Sequence, residues 1–276
     1  MRPAPEVFFL TADGGRGQRL CVHHQPRGPA ALGAVVYVHP FAEEMNKSRR
    51  MAALQSRAFA RAGYAVLQID LLGCGDSSGD FGDATWVDWV DDVVAAARWM
   101  QQRHAQPLWL WGLRAGCLLA CEAAQRIEPP CNLLLWQPPA TGKLLLQQFL
   151  RLKLAGDLLG GPAKGAMDTL RAKLAAGKAV EVAGYSLASA LASGLEGAIL
   201  AAPPGRGQIA WLELSTREDA TLLPASQGVI ERWRQAGHEL TAQVVQGPAF
   251  WQTNEIEEAP VLIDATLVTL SETDSA

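Results

Sequence analysis

The chain has 276 residues, 49% hydrophobic and 19% charged, which is enough apolar material for a substantial core and excludes a disordered, solvating chain. Its 24 Lys and Arg against 28 Asp and Glu leave a formal charge of -4, without the basic footprint that nucleic acid or an anionic membrane surface requires. The five cysteines, Cys21, Cys74, Cys117, Cys121 and Cys131, are odd in number and form no CxxC pair, so no disulfide framework is implied and a reducing cytoplasm is expected.

At the N-terminus no apolar segment follows the single charge of Arg2, and no later run of about 18 residues is free of polar groups, so neither an export signal nor a membrane span is expected. Strands are predicted over 7–12 and 19–24, as an antiparallel edge hairpin or ribbon. Further strands follow over 34–39, 64–70, 107–111, 132–136, 208–214 and 239–246. Most of these later runs are continuously apolar, as strands covered on both faces should be. Helical periodicity over 47–62, 84–103, 115–127 and 225–236 supplies crossovers, and 260–270 reads as a closing amphipathic helix.

The segment 142–196 breaks this alternation. It is rich in Leu and Ala and interrupted by Gly160, Gly161, Pro162, Gly165, Gly177 and Gly184, so it reads as a helical cap inserted after the strand ending at Trp136. The predicted architecture is one α/β domain over 1–276, a mostly parallel sheet of about eight strands flanked by helices, with that cap.

Three motifs fall at the carboxyl ends of successive strands, where open α/β sheets place ligands. They are His39-Pro40-Phe41, Asp70-Leu-Leu-Gly-Cys-Gly-Asp-Ser-Ser-Gly79 and Trp109-Leu-Trp-Gly-Leu-Arg-Ala-Gly116. In order and position they resemble the oxyanion loop, the D-x-x-G-x-G-x-S-x-G turn and the G-x-S-x-G nucleophile elbow of the α/β-hydrolases. The resemblance implies the α/β-hydrolase fold and an acyl-hydrolase ancestry. It also implies an oxyanion hole built from the amides of Phe41 and Ala115.

The elbow keeps Gly112 and Gly116 but carries Arg114 where the nucleophile belongs. The loop after the last strand, Gln246-Gly-Pro-Ala-Phe-Trp-Gln-Thr-Asn254, holds no histidine, and His238 precedes that strand. Only the acid position has a candidate, Asp219 or else Glu218, in Thr216-Arg-Glu-Asp-Ala-Thr-Leu-Leu-Pro224. A carboxylate without a nucleophile or an imidazole does not complete a triad.

The stretches His39-Pro-Phe-Ala-Glu-Glu-Met-Asn46, Trp136-Gln-Pro-Pro139 and Phe149-Leu-Arg-Leu-Lys153, with the elbow and the tail from Trp251 to Ile263, narrow the resemblance to the exosortase A system-associated hydrolases of type 2. That resemblance covers nearly the whole chain. It implies a cytoplasmic bacterial protein working alongside exopolysaccharide synthesis and PEP-CTERM sorting, with proteins of that system as partners.

Arg114 beside the N-terminus of the helix starting at Ala115 suggests an anion site, with Phe41 and Ala115 as further donors. In the competing reading Arg114 pairs with Glu43, Glu44, Asp219 or Glu255 and plugs a dead pocket. The expected ligand is a small anionic or acyl molecule, with no cofactor and no metal. His39 can join that site, although hydrogen bonding to loop backbone is its commoner use. His23 and His24, adjacent on a strand, point to opposite faces and cannot share a metal. Cys117 and Cys121 share a helix face as small buried hydrophobes, and Leu144, Leu145, Phe149, Leu152 and Leu154 form an apolar stripe that can roof a pocket. Two functions follow: a non-catalytic or altered hydrolase homologue that binds a ligand, or a cytosolic hydrolase of an ester or acyl group on a glycan or lipid intermediate, using water activated by Asp219.

Overall fold

The computed structural model describes residues 4–28, 30–156 and 165–273. The two N-terminal strands, β1 (Glu6–Thr11) and β2 (Gln18–His24), form the expected antiparallel ribbon, and β2 pairs antiparallel with β4 (Tyr64–Ile69). From there the sheet is parallel through β3 (Gly33–Val38), β5 (Leu108–Leu113), β6 (Asn132–Trp136), β9 (Ile209–Ser215) and β10 (Leu240–Gln246). The spatial order is β1-β2-β4-β3-β5-β6-β9-β10. All eight predicted strands are present, and every residue of β3 and β5 is buried, which explains why these runs are apolar throughout instead of alternating.

Helices cover both faces. On one side α2 (Trp86–Gln101), α3 (Ala115–Ala124) and α7 (Pro224–Gln235) bring Trp89, Val93, Leu118 and Trp233 onto the sheet. On the other, α1 (Glu43–Ala62) and α8 (Pro260–Thr273) pack Met51, Phe59 and Leu262 against Trp109, Trp111 and Trp136. The Trp136 indole donates to Thr266 Oγ1 at 3.1 Å, which satisfies a polar group inside that aromatic layer. Trp86 opens α2 behind a capping box: Thr85 Oγ1 accepts from the Asp88 amide at 3.2 Å, and the Asp88 carboxylate accepts from the Thr85 amide at 2.9 Å. That cap starts the helix two residues later than its periodicity predicts.

The expected start of α1 at Lys47 is corrected. The helix begins four residues earlier, because Glu43 and Glu44 lie in its first turn, where carboxylates suit the positive end of the helix dipole.

The segment between β6 and β9 holds α4 (Gly142–Gly156), α5 (Ala166–Ala175), a hairpin of β7 (Val180–Val182) and β8 (Tyr185–Leu187), and α6 (Ser189–Gly197). The helical reading of this cap therefore omitted the hairpin. Its strands have three residues each, too short for an alternating pattern, and its turn places Ala183 at φ 49° and Gly184 at φ 83°. The predicted break at Gly160, Gly161 and Pro162 lies outside the described residues. Among the described residues no helix is long and apolar enough to cross a membrane.

Candidate functional site

The site forms where β3 and β5 end and α1 and α3 begin. Arg114 sits between β5 and α3 at φ 55°, ψ -118°, a backbone conformation that ordinary residues rarely occupy. The turn closes tightly: the Arg114 amide donates to the Trp136 carbonyl at 3.0 Å, and the Cys117 amide donates to the Arg114 carbonyl at 3.0 Å. A Cβ on Gly112 would stand 2.6 Å from the Cys117 Cα, and one on Gly116 would stand 2.1 Å from the Val38 carbonyl oxygen. Both elbow glycines are thus required by close backbone approach, and the strained elbow persists with an arginine at its tip.

The Arg114 side chain is 8% exposed. Its Nε donates to Glu44 Oε1 at 3.2 Å and to Oε2 at 3.4 Å, and its Nη2 donates to Glu44 Oε1 at 3.2 Å and to Gln148 Oε1 at 2.8 Å. The guanidinium carbon stands 5.7 Å from the centre of the Trp251 ring. Burial pushes the Glu44 carboxyl above its ordinary value, while Arg114 and a hydrogen bond from Gln252 pull it back. The arginine charge is therefore met inside the protein, by one of the four carboxylates anticipated as a partner.

A cavity of about 290 Å³ lies beneath the cap beside this pair. Phe41, Leu145, Phe149, Leu152 and Trp251 supply its apolar walls, and Glu43, Glu44, Lys47, Gln148 and Gln252 its polar groups. The Phe41 ring meets those of Phe81, Trp89 and Phe149 at 5.1 to 5.7 Å between centres, which holds one wall rigid. Burial raises the Glu43 carboxyl, and the neighbouring Glu44 adds to the effect. No serine, threonine, cysteine or histidine is among the described residues lining this cavity.

The residues singled out from sequence are distributed as follows. Phe41 lines the cavity; Arg114 and Ala115 stand behind it, at the start of α3. His39 is spent on backbone: its Nδ1 donates to the Pro40 carbonyl at 2.8 Å and its Nε2 accepts from the Leu71 amide at 3.3 Å. Burial keeps that imidazole below its ordinary pKa, so it is a neutral brace for the loop. Asp219 is not brought to the elbow. Its side chain is 82% exposed and faces Arg217 at 3.5 Å in the loop after β9, and Glu218 is exposed as well. The carboxylate that the fold buries on β9 is Glu213, which accepts from the Trp211 indole at 3.0 Å and the Leu223 amide at 3.1 Å. The Cys117 thiol donates to the Trp136 carbonyl at 3.4 Å and is raised well above its ordinary value by burial, so it is not a substitute nucleophile. His23 packs edge-on against Trp99, and His24 reaches Gln68, on opposite faces of β2.

Sequence reasoning missed Lys47, Gln148, Gln252 and Trp251 as site residues. Lys47 and Gln148 emerge only when α1 and α4 face each other. Trp251 and Gln252 stood in a signal that was available, the last loop without its histidine.

A family model described as serine aminopeptidase, S33, matches residues 29–162. No curated protein matches the chain. Among solved structures, Est1E from Butyrivibrio proteoclasticus with bound ferulic acid is similar at TM-score 0.69 and 14% identity, over 98% of this chain and 100% of that one. A thermostable carboxyl esterase from Bacillus coagulans is similar at TM-score 0.67 and 16% identity, over 99% of both chains. XC6422 from Xanthomonas campestris, described as an α/β serine hydrolase without a lid, is similar at TM-score 0.59 and 16% identity, over 99% of this chain and 96% of that one. The strand order, the elbow between β5 and α3 and these likenesses agree on the α/β-hydrolase fold for this chain.

Proposed function

We propose that this chain is a non-catalytic α/β-hydrolase homologue that binds a small acyl-type ligand beneath its cap, as part of the exosortase A and exopolysaccharide system in a bacterial cytoplasm. One observation carries the reading. Between the elbow and the loop after β10 stand a guanidinium, its paired carboxylate, two amides and an indole, where acyl transfer needs a hydroxyl or thiol beside an imidazole. The motif resemblance supports the system, and through it the compartment and the exopolysaccharide and exosortase proteins as partners.

The apolar walls of the cavity suit an acyl body, and Lys47 suits its head. Lys47 lines the cavity and makes no salt bridge among the described residues, whereas Arg114 is neutralised by Glu44. The anion-binding role expected of Arg114 is therefore reassigned to Lys47. Glu43, whose carboxyl is raised by burial, lies beside the same head. Hydrolysis of an ester or acyl group by water activated at Asp219 is disfavoured, because that carboxylate sits in an exposed surface loop.

The test combines a fluorophosphonate probe and p-nitrophenyl esters with thermal shift in decanoate. The reading expects no labelling, no turnover, and a decanoate-dependent rise in Tm that disappears in Lys47→Ala. Stoichiometric labelling, or ester turnover abolished by Glu43→Gln or Asp219→Asn, overturns it in favour of the hydrolase. An absence of any decanoate shift overturns the ligand class.

A further inference from the structure

A second cavity, of about 220 Å³, lies on the opposite side of α1 from the cap, between that helix and strands β2 and β4. It exists because α1 presents the small side chains Ala52 and Ala53 where the other helix positions fill the space with Met51 and Phe59. Leu20, Val22, Met45 and Ile69 complete its apolar walls.

Three donors converge at its polar end. Tyr37 is 5% exposed and its ring is fixed against Trp111 at 4.4 Å, yet its hydroxyl makes no hydrogen bond to another described residue. The hydroxyl opens onto the cavity and stands there as a donor for whatever occupies it. Gln68 has its Oε1 engaged with His24 Nε2 at 3.3 Å, which turns its amide nitrogen toward donation. Arg49 Nη2 meets Asp70 Oδ2 at 3.3 Å and its Nε meets Asn46 Oδ1 at 3.4 Å, leaving Nη1 without a partner among the described residues. Asp70 is itself tied to its own turn, with Oδ2 accepting from the Asp76 amide at 3.3 Å. His39 borders the cavity with both ring nitrogens already used by backbone, so it serves as wall.

We propose that this cavity is a second ligand site, selective for a short apolar molecule ending in an uncharged carbonyl, as in an aliphatic amide or ester. The carbonyl oxygen takes the Tyr37 hydroxyl and the Gln68 amide as donors, with Arg49 at the rim, while the chain lies along Leu20, Val22 and Met45. A neutral acceptor is favoured over a carboxylate because the Arg49 charge is already balanced by Asp70, so an anion would leave the enclosed group with an uncompensated negative charge. This site is independent of the cap cavity, with which it shares none of its lining residues.

Binding of hexanamide and of hexanoate, followed by ligand-observed NMR saturation transfer and titrated by chemical shift, tests the proposal. Hexanamide should bind the unmodified chain at least about tenfold more tightly than hexanoate, the discrimination that one hydrogen-bonding mismatch supplies. Tyr37→Phe should weaken hexanamide by about tenfold on the same grounds. Ala53→Leu, at a half-buried position, should fill the cavity and abolish binding with the fold intact, and Lys47→Ala under the cap should leave hexanamide binding unchanged. Preference for hexanoate, failure of hexanamide to bind, or hexanamide binding that survives both Tyr37→Phe and Ala53→Leu in folded protein overturns the site.

Discussion

Ala42 and Arg114 share one rare backbone conformation, φ 49°, ψ -122° and φ 55°, ψ -118°, and each immediately precedes the helix whose first turn faces the other. The Arg114 side chain crosses to Glu44, two residues past Ala42, so two strained caps are joined by one ion pair. Strain of this kind persists only where the surrounding structure holds it in place, and in α/β-hydrolase folds the same two turns present an oxyanion hole and a nucleophile.

Ala42→Gly should stabilise the fold by about 1 kcal/mol, the released strain of about 1–3 kcal/mol outweighing the entropy of the glycine. Urea denaturation read by tryptophan fluorescence measures this. A lower midpoint would mean that Ala42 carries no strain of that size.

Arg114→Met alone or Glu44→Leu alone should each cost about 3–5 kcal/mol, since each leaves one member of a buried pair without its charge partner. The double change Arg114→Met with Glu44→Leu should cost less than either single, because no charge is then stranded. Equilibrium unfolding of the four proteins closes the cycle; additive losses would show that the pair is not coupled.

Gly116→Ala should cost more than about 3 kcal/mol or prevent folding, because its new Cβ would stand 2.1 Å from a backbone carbonyl that cannot yield. Gly184→Ala, in the cap hairpin at φ 83° with nothing within 4 Å of the added atom, should cost only about 1–2 kcal/mol, the conformational penalty by itself. Thermal melts of the two variants give the contrast directly.

All five cysteines are buried, and burial pushes Cys21 and Cys131 up to about 12, Cys74 and Cys121 higher still, and Cys117 well above its ordinary value. Native protein at mildly alkaline pH should therefore react with a disulfide reagent at none of its thiols on the timescale that suffices for free cysteine, and at all five after unfolding. Rapid native labelling of Cys117 would reopen the question of a thiol nucleophile.

Burial lowers the pKa of His23, His24, His39 and His104 below the ordinary 6.5. Each binds its proton less readily when folded than when unfolded, so their contribution to stability is complete above pH 6.5 and falls as pH drops below it. The urea midpoint should decline from neutral pH toward acid. His23→Phe should flatten part of that slope, since a phenyl ring keeps the packing on Trp99 and cannot titrate.

The fold was legible because its signals are local and repeated. Apolar strands such as 34–39 and 107–111, spaced by helices, and glycines at 112 and 116 identify a doubly covered sheet with a tight elbow without any long-range information. The short cap hairpin escaped because three-residue strands show no period, and the first turn of α1 escaped because Glu43 and Glu44 look like loop residues until a helix dipole is placed behind them.

By itself the chain determined that no serine stands at the elbow and no histidine follows the last strand, since composition at those positions is independent of how side chains turn. Which carboxylate meets Arg114 was left open among four, because Glu43, Glu44, Asp219 and Glu255 are equally charged and their distances from the elbow depend on packing between elements far apart in sequence. Tertiary structure decided for Glu44, 70 residues away, and sent Asp219 to the surface. It also placed Gln148 and Trp251 around the same guanidinium and Gln252 on its Glu44 partner, because a buried charge is tolerated only where its partners converge from several elements at once.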